Sequence, residues 1–152
     1  MKSDFFKYQA QTSPHPLALE ISHAEGTYIF DTDGKKYLDF VAGVSACGLG
    51  HRNPKVLKAV KKQLDKYWHV MVYGEYIQEP SVELAKLLAQ FLPKNLQKTY
   101  LVNSGTEAID GAMKLARRAT GRSQIIAAKN AYHGNSYGAL SLMDYQERTE
   151  VF

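Results

Sequence analysis

Asn103-Ser104-Gly105-Thr106-Glu107-Ala108 is the stretch on which the fold turns. Before it, the β-favouring run at 98–103 predicts a strand entering a core. After it, Ala108, Ala112, Leu115, Ala116 and Ala119 recur at helical spacing, and Gly121 supplies a stop. That pattern predicts a helix over about 106–120. A strand that gives way to a helix within three residues presents unpaired backbone N–H groups and the positive end of a helix dipole. Gly105 has no Cβ to block an approaching anion, and Ser104 and Thr106 add hydroxyl donors. This is the chemistry of a phosphate grip. The same residues also fit a plain cap, with Ser104 at the N-cap and Glu107 closing a capping box. The two readings are compatible.

Outward from this turn, residues 124–129 predict a second buried strand, so the C-terminal half alternates strand, helix, strand. That order implies an α/β layer with a largely parallel sheet. Pro80 opens an amphipathic helix at about 80–92, and Pro93 ends it. Pro54 opens another at 54–66, where Lys55, Lys58, Lys61, Lys62 and Lys66 alternate with Val56, Leu57, Val60 and Leu64. Residues 67–79 hold many aromatics, and 41–53 form a loop rich in glycine and small residues. Residues 27–31 and 36–40 predict a hairpin, because Asp33-Gly34 between them suits a tight turn. Residues 1–25, with Pro14 and Pro16, predict an extended arm.

Composition narrows the class. Of 152 residues, 45% are hydrophobic and 22% charged, which places the chain among globular proteins of about one domain. The net charge of +4 gathers on the lysine-rich helix, which reads as a solvated face and gives no independent support for nucleic-acid binding. No apolar run is long enough to span a bilayer, and Met1–Phe6 lacks the pattern of a secretory signal. With Cys47 the single cysteine, no disulfide framework forms within one chain, and a cytoplasmic location is expected. The five histidines lack metal-binding spacing, so no metal site is expected. Other phosphate motifs fail. Gly43 and Gly48 have P-loop spacing but Leu49 stands where lysine belongs, and Gly48-Leu49-Gly50 lacks a third glycine at Asn53.

Four motifs then act together. In chain order they are the Asp31-to-Asp39 hairpin, Gly48-Leu49-Gly50-His51-Arg52-Asn53-Pro54, the 103–108 turn, and Ala131-Tyr132-His133-Gly134. The ordered set resembles the class III aminotransferases, of the fold type I group that uses pyridoxal phosphate. The resemblance runs from about residue 15 to 152 and implies the N-terminal part of such an enzyme. Residues 1–50 would be an arm and hairpin of the small domain, and 51–152 the first portion of the large cofactor-binding domain. It implies that Ser104, Gly105 and Thr106 hold the cofactor phosphate, that Tyr132 stacks on the pyridine ring, and that His133 and Gly134 complete the motif. Tyr132 taken alone would read as a core aromatic, and His133 as a structural hydrogen-bonding residue. Val44 and Asn135 fall where the family borders its substrate pocket, Tyr73 and Tyr76 lie in a region that approaches it, though either tyrosine equally fits a packing role, and His51 and Arg52 would be structural.

The resemblance also implies what is missing. Transamination needs a lysine that condenses with the cofactor aldehyde and an aspartate beside the pyridinium nitrogen. The family places both after the Tyr-His-Gly motif, and Lys129 and Asp110 do not match them. This chain alone is therefore expected to be inactive and to offer no catalytic residue. The enzyme would be a homodimer moving an amino group from an amine or amino acid donor to a 2-oxo acid, with neither nucleic acid nor membrane as partner. The rival expectation is a non-catalytic remnant of the fold that serves cofactor binding or assembly. Asn135 stands where the acetylornithine and ornithine branches carry a carboxylate-clamping arginine, which argues for another donor. Apolar faces left uncovered by so short a chain should drive association.

Overall fold

A computed structural model describes residues 1–71 and 73–144. The chain divides into two compact units, Met1–Tyr73 and Gly74–Phe152.

The first unit contains α1 (Lys2–Tyr8), β1 (Ile21–Glu25), β2 (Tyr28–Asp31), β3 (Lys36–Leu38), α2 (Ala42–Ser45) and α3 (Pro54–Leu64). The three strands form an antiparallel sheet in the order β1-β2-β3. Tyr28 pairs with Leu38, Ile29 with Tyr37 and Phe30 with Lys36. The expected Asp33-Gly34 hairpin is present. The Asp31 carboxylate organises it by accepting from the N–H groups of Asp33 (3.0 Å) and Lys35 (2.8 Å) and from the Tyr37 hydroxyl (2.7 Å). The Tyr37 hydroxyl and the turn amides hold the Asp31 carboxyl below its usual range, and Asp31 in turn raises the Tyr37 phenol.

Two elements depart from the extended arm expected at 1–25. Residues 2–8 form α1, with Asp4 in its first turn and Lys7 in its last, each complementing the helix dipole. Residues 21–25 form β1, where His23 stacks on Phe30 with ring centroids 4.4 Å apart. A bulge between Ile21 and His23 breaks the alternation that would have marked the strand. The α3 boundaries follow the sequence. Asn53 caps the helix by accepting from Lys55 and Val56 N–H, and Pro54 takes the first turn, where no N–H is needed. Its lysines are exposed, as a solvated face requires.

The second unit contains α4 (Glu79–Phe91), α5 (Gly105–Thr120) and α6 (Tyr137–Leu140). Short α6 packs against α5. Met113, Ala139, Leu140 and Met143 are buried and form the core of this unit. The segments 98–103 and 124–129 depart from the strands expected there. Neither forms a strand, and the described residues contain no parallel pair. A strand exists only through the ladder it shares with a neighbour. Parallel strands must also be covered on both faces, yet Tyr100 is 82% exposed and Ile126 99%.

Candidate functional site

The start of α5 is capped as the capping reading of the 103–108 turn expects. Ser104 has extended backbone, and its Oγ accepts the Glu107 N–H at 3.3 Å. The Glu107 carboxylate reaches back to the Asn103 N–H at 2.7 Å, one residue upstream of the usual capping-box partner. The cap takes up the N–H of Glu107, while those of Gly105 and Thr106 belong to the first turn and have no acceptor within the helix. A Cβ built on Gly105 would meet nothing within 4 Å, so the approach to these donors is open.

The Tyr132-His133-Gly134 segment lies directly on this turn. Gly134 has φ +123°, and a Cβ there would stand 2.3 Å from both Cβ and Oγ1 of Thr106. Only glycine permits that approach. Two residues on, the Ser136 N–H donates to Thr106 Oγ1 at 3.0 Å, and the two hydroxyls are hydrogen-bonded at 2.6 Å. Ser136 also begins α6, so one residue ties the segment to both helices. Ser136 carries a single signal in the sequence, a capping residue type just before the Tyr137–Leu140 turn.

The other members are placed as follows. Tyr132 is 58% exposed beside the turn. The His133 N–H donates to Met143 Sδ at 3.3 Å, while its Nε2 is buried without a hydrogen-bond partner among the described residues. Asp110 Oδ1 shares that condition, closed in by Gly138, whose added Cβ would lie 2.3 Å away. Asn135 is exposed. Val44 and Tyr73 are also exposed but belong to the first unit.

Val44 sits in an unusual backbone. Ala42, Gly43, Val44 and Ser45 have φ of 47°, 62°, 57° and 68°, so α2 is one turn wound left-handed. For residues other than glycine this costs roughly 1–2 kcal/mol each. Asp39 stands beneath it: Oδ1 accepts from Val41 N–H (3.1 Å) and Ala42 N–H (2.9 Å), and Oδ2 accepts from His51 Nε2 at 2.7 Å. The His51 contact, with the Ala42 amide next, holds the Asp39 carboxyl below its usual range.

Chemically, an open helix start flanked by hydroxyls and by an aromatic residue can hold a tetrahedral oxyanion joined to a planar ring. That defines a class: an α/β chain with an anion-receptive helix start. The family follows from the comparisons. Residues 8–151 match the family model for aminotransferase class III, so the chain belongs to the class III aminotransferases. It is 42% identical over 147 residues to the acetylornithine aminotransferase of Methanopyrus kandleri, which covers 96% of this chain and 37% of that protein. The adenosylmethionine-8-amino-7-oxononanoate aminotransferase of Methanocaldococcus jannaschii matches 99% of this chain and 37% of its own, with 31% identity and a TM-score of 0.89. The omega transaminase of Pseudomonas jessenii in complex with PMP matches 100% and 36%, with 27% identity and a TM-score of 0.84. The chain thus spans about a third of the length of its relatives.

Proposed function

We propose that this chain supplies the phosphate-gripping, N-terminal portion of a pyridoxal-phosphate-dependent aminotransferase, which moves an amino group from an amine or amino acid donor to a 2-oxo acid. The observation that carries the reading is the contact between Gly134 and Thr106, which joins the two motifs at one helix start. The N–H groups of Gly105 and Thr106 would hold the phosphate, with Ser104 beside them, and Tyr132 would face the ring. When bound, the cofactor supplies an electron sink for the donor's α-carbon. The Thr106 hydroxyl, fixed by Ser136, would present its remaining hydrogen-bonding capacity to the phosphate. The His133 N–H, bonded to Met143 Sδ, would anchor the segment that carries Tyr132.

In this reading residues 1–50 belong to the small domain and 51–152 to the large one, and the intact enzyme is a cytoplasmic homodimer. No helix among the described residues is long and apolar enough to cross a membrane. Relatives include proteins named for acetylornithine and for 5-aminovalerate. Asn135 offers no cation to clamp a carboxylate, so the donor is assigned to an amine or amino acid other than N-acetylornithine, with Val44 and Tyr73 as further pocket residues. Fluorescence titration with pyridoxal phosphate and with pyridoxal tests the assignment of the turn. A phosphate grip requires the phosphorylated form to bind at least tenfold tighter; equal affinities would overturn it.

A further inference from the structure

We propose that Asp39 and His51 form a clasp that holds Ala42–Ser45 in its left-handed turn and thereby fixes the direction in which Val44 is presented. This deepens the proposed function and rests on its assignment of Val44 to the donor pocket.

The turn needs an external hold. Val44 is β-branched and lies at φ 57°, where such residues are outliers. Its neighbours Ala42 and Ser45 are left-handed as well, so glycine relieves one position of four. Runs of this kind persist where the surroundings over-determine them. Here the surroundings are specific. One oxygen of Asp39 takes the two amides that lead into the turn, and the other takes His51. His51 is itself anchored to the turn between β1 and β2: its N–H donates to Gly26 O at 2.7 Å, and the Gly26 N–H donates to His51 O at 3.0 Å. Gly50 closes on the same point, since an added Cβ would lie 2.9 Å from Gly26 O. The carboxylate therefore connects the β1–β2 turn to the left-handed turn through bonds with set directions. The His51 and Asp39 side chains are 21% and 10% exposed, so water competes weakly for the pair. Val44, at the apex, is 86% exposed and presented outward.

The clasp depends on geometry more than on charge. An asparagine at 39 can accept the two amides through Oδ1 and donate through Nδ2 to a neutral His51. Amide hydrogen exchange of residues 41–47 reads the turn directly, and Cys47, the single thiol, reports it independently through its rate of reaction with a disulfide reagent. Asp39→Ala is expected to speed exchange at 41–47 at least tenfold and His51→Ala about threefold. Both should accelerate Cys47 modification, while Asp39→Asn stays within twofold of the parent chain. Exchange at Ile29 monitors the hairpin. If Asp39→Ala also loses protection there, the comparison rests on His51→Ala and Asp39→Asn. Exchange unchanged in His51→Ala, or Asp39→Asn as loose as His51→Ala, would overturn the clasp. Failure of the pocket assignment shows elsewhere: Val44→Ala would leave donor affinity in the complete enzyme unchanged. That outcome would overturn the clasp's service to the donor while leaving the exchange pattern intact.

Discussion

At the scale of single residues, Gly134 carries the largest structural demand in the site. A methyl group there would overlap Thr106 in a backbone conformation that side chains rarely adopt. Gly134→Ala should therefore destabilise the second unit by about 3 kcal/mol, combining overpacking with backbone strain. Urea unfolding would measure this, and an unchanged midpoint would mean that the segment does not press on Thr106. Asp31 and Asp39 carry a pH dependence whose sign is fixed. Both have folded-state values below their unfolded ones, so their contribution is complete above the ordinary aspartate value of about 3.9. It is lost as pH falls through the lowered values. Acid unfolding of the hairpin should thus begin below about pH 4, and Asp31→Asn should flatten that limb when followed by tyrosine fluorescence.

At the scale of elements, helix ends were the most legible feature of the sequence because their signals are local. Asn53-Pro54 set the start of α3, Pro80 lies in the first turn of α4, and Ser104 and Gly121 bracket α5. Gly121 takes the left-handed conformation, and its N–H donates to Arg117 O at 2.8 Å. Gly121→Ala should cost about 1 kcal/mol of α5 stability, seen as lower helical circular dichroism and a lower melting temperature. Ser104→Ala should cost a similar amount. Features that depend on distant partners were less legible. The run at 124–129 has the composition of a buried strand, yet burial and pairing belong to whatever lies beside it. The link between Asp39 and His51 spans twelve positions with no periodicity to announce it. The pairing of Thr106 with Gly134 could be inferred only through the family resemblance, because nothing in either motif specifies contact with the other.

At the scale of the whole molecule, the chain matches about a third of the length of its relatives and leaves large apolar side chains uncovered. Phe91 is 81% exposed, Tyr100 82% and Ile126 99%. Surfaces of this kind seek partners, so the isolated chain should self-associate. Light scattering at rising concentration would show growing mass, whereas a constant monomer mass would mean that these side chains find cover within the chain. The central claim, that the start of α5 grips a phosphate, has a sharper test. Gly105 occupies the first helical position, where proline is well tolerated, and Ser104 is already extended as a residue before proline must be. Gly105→Pro should therefore remove one N–H donor and leave the helix standing. Pyridoxal phosphate titrated into both chains and followed by phosphorus NMR is the direct measurement. The account requires at least tenfold weaker binding in Gly105→Pro with helical content unchanged, and equal binding by the two chains would contradict it.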